Sequence, residues 1–260
     1  MVANTHRDPL DRFYTTPDAV EICLASLDLS GYQVVEPSAG GGAFSSRMPG
    51  CIALDLAPEG EGIQRADFLT WVPPPSDRPI AVVGNPPYGP NGTMIVKFIK
   101  KATSYADLVA FILPLSYHKV SMHNRWPRRF HLLHQEVLPS PNATLFGELM
   151  YTRNVWQVWG RKDHNRAEEP KPVPVGWSAC PPEKAEFAMR TVGGGLGRIS
   201  DPATANRTSH LFFRTDRPID REALHAELVA HPWPNFNMAQ QSIGQRDFVP
   251  VLNRIIKEAQ

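Results

Sequence analysis

Pro79-Ile80-Ala81-Val82-Val83-Gly84-Asn85-Pro86-Pro87-Tyr88 runs from an apolar stretch straight into two prolines. The apolar part shows no polar alternation, which is the pattern of a strand covered on both faces. Two successive prolines donate no backbone N–H and fix φ, so they cannot continue a sheet. The chain therefore leaves a buried strand and stiffens at once, with an amide at Asn85 and a ring at Tyr88. Such a corner suits a flat molecule carrying an NH₂ group. The Asn85 side-chain oxygen and the Pro86 carbonyl accept its two hydrogens, and Tyr88 covers a ring face.

Working outward, short apolar runs at residues 32–36, 51–55 and 108–113 repeat the pattern of 80–84. Residues 94–105 place Met94, Ile95, Phe98 and Ile99 on one helical face, with lysines at 97, 100 and 101 on the other. Thr16-Pro17-Asp18 reads as a helix start, with Thr16 at the N-cap and Pro17 at the first helical position. The alternation predicts an open α/β sheet. Residues 155–159 are its expected antiparallel strand, paired across a hairpin with the neighbourhood of Tyr151.

Between the first two runs lies Glu36-Pro37-Ser38-Ala39-Gly40-Gly41-Gly42-Ala43-Phe44. Its glycines let a backbone pass close to a ligand. Asp55 follows Glu36 by nineteen residues and ends the next apolar run, the placement of an acid that grips ribose hydroxyls. The loop lacks the longer dinucleotide spacing, so a sulfonium cofactor without pyrophosphate fits it better than NAD. Glu36 adds negative charge where a cationic sulfonium and an ammonium would lie.

Asn85-Pro86-Pro87-Tyr88, the stretch Val34 to Phe44, and Phe13-Tyr14-Thr15-Thr16-Pro17 together resemble the motifs of S-adenosylmethionine-dependent adenine-N6 methyltransferases, with the cofactor loop preceding the catalytic loop. The resemblance runs from about residue 13 to 115 and more weakly to about 160. It implies a Rossmann-like methyltransferase sheet, mostly parallel with an antiparallel strand. It implies S-adenosyl-L-methionine as cofactor and Asn85, Pro86, Pro87 and Tyr88 as the catalytic corner. Thr15, Thr16 and Pro17 would close over the methionine end. Glu36, Pro37, Ser38, Ala39, Gly40, Gly42 and Phe44 would form the cofactor loop. Asp55, with Leu56 beside it, would take the ribose, Asp67 the adenine amine, and Phe68 would pack on that ring.

The same resemblance makes the acceptor an adenine in nucleic acid, with DNA favoured by the order of the motifs and RNA as the alternative. A protein glutamine is disfavoured by Glu36-Pro37 and by the basic stretch Arg125–Arg129. A non-catalytic subunit that binds nucleic acid is the rival from another class, and intact Asn85–Tyr88 and Asp55 argue against it. An acceptor base in a duplex must leave the stack to reach such a corner. Tyr88 is the first stacking candidate; Phe146 and Trp156 are further rings, though both read as core.

Net charge is +1, so a nucleic-acid surface has to be a local patch. The patch expected from the sequence is His118 to His131, which holds no acid. In it Lys119, Arg125, Arg128 and Arg129 are read as phosphate contacts and Trp126 as a stacking ring. Because it follows the run 108–113, it is expected on the same rim as Asn85. Cys23, Cys51 and Cys180 form no close pair, which points away from structural zinc and from a disulfide framework. No metal is implied. Neither an apolar leader nor a membrane-length apolar run is visible, and a cytoplasmic location is expected.

The 26 prolines are about twice the ordinary share and concentrate where composition breaks. Residues 1–12 read as a polar arm, 1–160 as the cofactor-binding catalytic domain, 161–182 as a Pro-rich linker or loop, and 183–260 as a small α+β appendage for substrate recognition. Within the appendage, strands are expected at 187–191 and 209–214 and helices at 221–229 and 249–258. The Gly193–Gly197 stretch reads as a hairpin tip or a loop approaching phosphate.

Overall fold

The unbroken apolar runs become the centre of a sheet in the computed structural model, which describes residues 13–145, 147–168, 170–235 and 241–259. The expected arm at 1–12 and the ring of Phe146 lie outside the described residues. The chain divides into two units between Ala167 and Glu168.

In the first unit, β1 (Tyr14–Thr15) and α1 (Pro17–Ala25) precede β2 (Gln33–Glu36), β3 (Ile52–Asp55), β4 (Gln64–Arg65) and β5 (Ile80–Gly84). Then come α2 (Thr93–Tyr105), β6 (Leu108–Pro114), β7 (Phe130–Val137), β8 (Ala143–Leu145), β9 (Glu148–Met150) and β10 (Asn154–Arg161). The main sheet has the order β4-β3-β2-β5-β6-β10-β7. Its first five strands are parallel, and β10 lies antiparallel between β6 and β7. This is the expected Rossmann-like sheet, mostly parallel with an antiparallel strand.

Side-chain alternation divides the core between the sheet's faces. Ala81, Val83, Ala110, Ile112, Trp156 and Val158 pack with Val20 and Cys23 of α1. On the other face Ile95, Phe98, Ile99 and Ala102 of α2 are buried while Lys97 and Lys100 stay exposed. Burying each large apolar side chain of this kind contributes about 1.5 to 3 kcal/mol. Thr16 has the extended backbone of an N-cap and Pro17 opens α1, but the Thr16 hydroxyl makes no capping bond.

Two sequence expectations are corrected. β10 does not pair with the neighbourhood of Tyr151. Glu148–Met150 pairs with β8, and β8 with β1, in a separate three-stranded sheet. The three residues between β9 and β10 are turned aside by Thr152, whose hydroxyl donates to the buried Asn142 Oδ1 at 2.6 Å. The basic stretch is also not one exposed rim. Residues 115–125 start at the Asn85 edge, but β7 begins at Phe130 opposite Arg161, and Gly160 of β10 faces Leu108 at the start of β6. The chain has crossed the sheet by then, so Arg128 and Arg129 stand at the edge opposite Asn85.

The second unit holds β11 (Trp177–Ala179), β12 (Phe187–Arg190), β13 (Ile199–Ser200), β14 (His210–Thr215), α3 (Arg221–Ala230) and α4 (Gln245–Glu258). Its sheet, ordered β11-β14-β12-β13, is antiparallel. Leu224, Leu228, Phe248 and Leu252 of the helices bury Trp177, Phe187, Met189 and Phe213. Asp220 caps α3 by accepting Glu222 N at 2.8 Å. Part of the Pro-rich stretch is therefore structured here: Asn253 Oδ1 accepts Val175 N and Trp177 Nε1. Gly197 has φ +82, and a Cβ there would stand 2.7 Å from Trp233 Nε1, so this part of the glycine stretch is packed against the end of α3.

Candidate active site

Parallel strands end on one edge, and three of those ends build a single cleft. β2 ends in Glu36, β3 in Asp55, and β5 runs directly into Asn85. Segment 13–15 and the residues Met94 and Phe98 of α2 close the sides. The cleft spans about 960 Å³, a volume that takes in open solvent at its mouth.

The glycine turn is fastened to its neighbour strand. Gly40 takes φ +54 and donates its N–H to Asp55 Oδ2 at 2.7 Å. Asp55 Oδ1 accepts Ala57 N at 2.8 Å. A carboxylate oxygen accepts more than one bond, so Asp55 is both braced and able to take hydroxyls from the cleft. Tyr14 lies over the turn: a Cβ on Gly40 would come within 3.2 Å of its ring. The Tyr14 hydroxyl donates to Glu59 Oε2 at 2.8 Å, and Glu59 N donates to Gly40 O at 3.0 Å.

Glu36 is 2% exposed and lines the cleft. Burial pushes its carboxyl up to about 7; Ser45 N–H, donating to Oε2 at 2.8 Å, opposes that shift, and the Asp55 charge adds to it. Asp67 Oδ1 accepts Leu69 N at 2.9 Å, so this acid caps its own turn while lining the cleft. Phe68 is buried beside Phe98, with ring centroids 5.0 Å apart.

Asn85 is clamped from two directions. Its Nδ2 donates to Phe13 O at 3.2 Å and to Thr15 Oγ1 at 3.3 Å. Its backbone carbonyl accepts the Ser38 hydroxyl at 3.0 Å. With Nδ2 engaged, the amide offers the cleft its acceptor, Oδ1. Pro86, Pro87 and Tyr88 continue the wall.

Of the residues expected from the sequence, the cleft gathers Thr15, Glu36, Pro37, Ser38, Ala39, Gly40, Phe44, Asp55, Leu56, Asp67, Phe68 and Asn85 to Tyr88. It does not include Thr16, Pro17 or Gly42. Thr16 N donates to Asn142 O, and Gly42 N closes a turn on Ala39 O. Met94 and Phe98 were expected only as a core face. Their spacing of four residues, just after the double proline, was the signal available for a cleft wall.

The expected nucleic-acid patch is taken apart. Trp126 is 2% exposed and stacks on Trp159 at 4.7 Å, so it is core and offers no ring to a base. Trp156 is likewise buried, with Nε1 donating to Ser26 Oγ. Arg128 donates to Arg166 O, and Arg129 to Asp163 O. Only Lys119, partly exposed, and Arg125, exposed, remain in the stretch that starts at the Asn85 edge. Among the described residues no group of three or more His, Cys, Asp or Glu is placed to hold a metal, and no helix is long and apolar enough to cross a membrane.

No family model and no curated protein sequence matches the chain. Solved structures do. A Pyrococcus horikoshii protein provisionally described as an RNA methyltransferase is 16% identical with a TM-score of 0.45, over 60% of this chain and 90% of that one. The 23S rRNA methyltransferase ErmE is 18% identical with a TM-score of 0.40, over 60% and 72%. The N-methyltransferase NodS from Bradyrhizobium japonicum WM9, solved with S-adenosyl-L-homocysteine, is 11% identical with a TM-score of 0.39, over 56% and 85%.

Proposed function

We propose that this protein is an S-adenosylmethionine-dependent methyltransferase acting on the N6 amine of adenine in nucleic acid. One observation carries the reading: the Gly40–Asp55 pair and the Asn85 corner line the same cleft. The residues present fit the cofactor. Asp55 keeps acceptor capacity for ribose hydroxyls, Asp67 for an amine, and Phe68 and Phe98 supply an apolar wall for a ring. Glu36 is a buried acid lining the cleft, and a sulfonium and an ammonium supply positive charge. The cofactor, when bound, supplies a methyl carbon activated by that sulfonium.

An exocyclic adenine amine is a poor nucleophile because its lone pair is conjugated into the ring. The Asn85 Oδ1 and the Pro86 carbonyl accept its two hydrogens, which favours a more tetrahedral nitrogen and directs its lone pair. Acceptors fixed in advance for developing positive charge act as electrostatic catalysts. The tether from Asn85 Nδ2 to Phe13 and Thr15 is that fixation. Positioning for in-line displacement supplies much of the rest. Tyr88 covers a face of the base, and Lys119 and Arg125 are the phosphate contacts of this reading.

DNA is the acceptor favoured by the order of the motifs, and RNA is the alternative. The test incubates the protein with methyl-labelled cofactor and separate pools of duplex DNA, single-stranded DNA, RNA and protein, then digests each pool. Label in N6-methyladenine from DNA is the expected result. Label in RNA alone shifts the acceptor; label in protein alone, or in none of the pools, defeats the proposal.

A further inference from the structure

Outside the cleft, the first unit buries two polar side chains, Asn142 and Asn154, against each other and the half-buried Thr152. Asn142 is 2% exposed and Asn154 3%. Asn142 Oδ1 accepts Asn154 Nδ2 at 2.8 Å and the Thr152 hydroxyl at 2.6 Å. Asn142 Nδ2 donates to Pro139 O at 2.9 Å and Thr152 O at 3.3 Å. Polar groups buried at this depth are costly unless bonded, and the proposed reaction uses none of them directly.

We propose that Asn142 is a positioning residue for Asn85, acting through β1. The route is continuous. Asn154 opens β10, a strand buried inside the main sheet, and fixes Asn142. The Asn142 carbonyl accepts Thr16 N at 3.1 Å, and Ala143 pairs with Thr15 in β1. Thr15 Oγ1 and Phe13 O then hold the Asn85 amide. β1 is two residues long and β8 three, too short to hold a register unaided. The polar trio thus carries the rigidity of the main sheet out to the strand that sets which atom Asn85 turns to the cleft. A catalytic consequence rests on the function proposed above; the structural one does not.

The test uses the whole chain with ¹⁵N-labelled asparagine. The Asn85 side-chain signals are assigned by their loss in Asn85→Ala. Thr152→Val removes the bridging hydroxyl at nearly constant volume, and Thr152→Ser keeps it. In Thr152→Val the Asn85 amide protons should exchange about 10-fold faster and kcat fall about 10- to 100-fold, with the cofactor KM within twofold. Thr152→Ser should restore both. Adding Thr15→Val to Thr152→Val should cost little more than the larger single change, because both act on one link. Unchanged Asn85 signals in Thr152→Val overturn the positioning role, and so does normal kcat despite altered signals. Should the parent protein transfer no methyl group, the proposed reaction fails while the amide exchange still decides the positioning.

Discussion

Asp55 Oδ2 accepts the Gly40 N–H at 2.7 Å, so one carboxylate joins the end of β3 to the glycine turn after β2. Its other oxygen is held by Ala57 N. In Asp55→Asn one side of the group becomes a donor and faces a backbone N–H. The turn loses a charge-assisted bond worth about 1.5 to 3 kcal/mol, and the cleft loses its ribose acceptor. Affinity for S-adenosylhomocysteine, measured by calorimetry, should drop roughly 10- to 100-fold. An affinity within twofold of the parent protein would remove Asp55 from the cofactor site.

Glu36 gives a pH dependence of known sign. Burial raises its carboxyl from 4.5 to about 7, with the Asp55 charge adding to the shift. The folded state therefore holds the proton more tightly than the unfolded chain. The resulting stability is fully present below about 4.5 and is lost as pH rises through about 7. Its size is on the order of 3 kcal/mol. Urea midpoints of the parent protein should fall more steeply between pH 5 and 8 than those of Glu36→Gln. Parallel curves would show that Glu36 is not buried as a neutral acid. A cationic ligand favours the carboxylate, so binding S-adenosylmethionine near pH 7 should release protons, detectable as a buffer-dependent heat.

Much of this site was legible because its parts carry strong local signals. A buried parallel strand reads as an unbroken apolar run, which found Ile52–Asp55, Ile80–Gly84 and the core of Leu108–Pro114, and with the first two the ends that hold Asp55 and Asn85. β7 was missed for the converse reason. As an edge strand it alternates weakly, with His131, His134, Gln135 and Glu136 among its apolar residues, and only its first two residues, Phe130 and His131, fell within the basic patch. β1 has two residues and no period to detect, so its link through β8 to Asn142 was invisible. Trp126 sits among exposed cations in sequence, and only the positions of Trp159 and Phe111 show that its ring faces inward.

That reversal changes what the basic stretch should do. Trp126→Ala leaves a cavity against Trp159 and Phe111 and should cost about 3 to 5 kcal/mol of stability, seen in denaturant unfolding. Arg128→Ala with Arg129→Ala removes bonds to backbone carbonyls at the edge away from Asn85. That pair should lower stability modestly and leave the salt dependence of nucleic-acid binding unchanged, because neither residue faces the proposed acceptor. Lys119→Ala with Arg125→Ala should instead flatten it. A flattened salt slope from the Arg128 and Arg129 pair alone would return those residues to the binding surface.

Asn85→Ala separates chemistry from cofactor binding. The side chain touches Phe13 and Thr15 rather than Asp55 or Asp67, and Ser38 is held by the Asn85 backbone carbonyl, which alanine keeps. The cofactor side of the cleft should therefore survive, with S-adenosylhomocysteine affinity within about threefold, a loss under 1 kcal/mol. Turnover loses an acceptor fixed for the developing charge on the amine. Removal of one preorganised group of this kind typically costs about 100- to 1000-fold in kcat. Single-turnover methyl transfer at saturating cofactor reads this directly. If that rate matches the parent protein, the amine is not held by Asn85, and the corner formed by the two prolines has only a structural role.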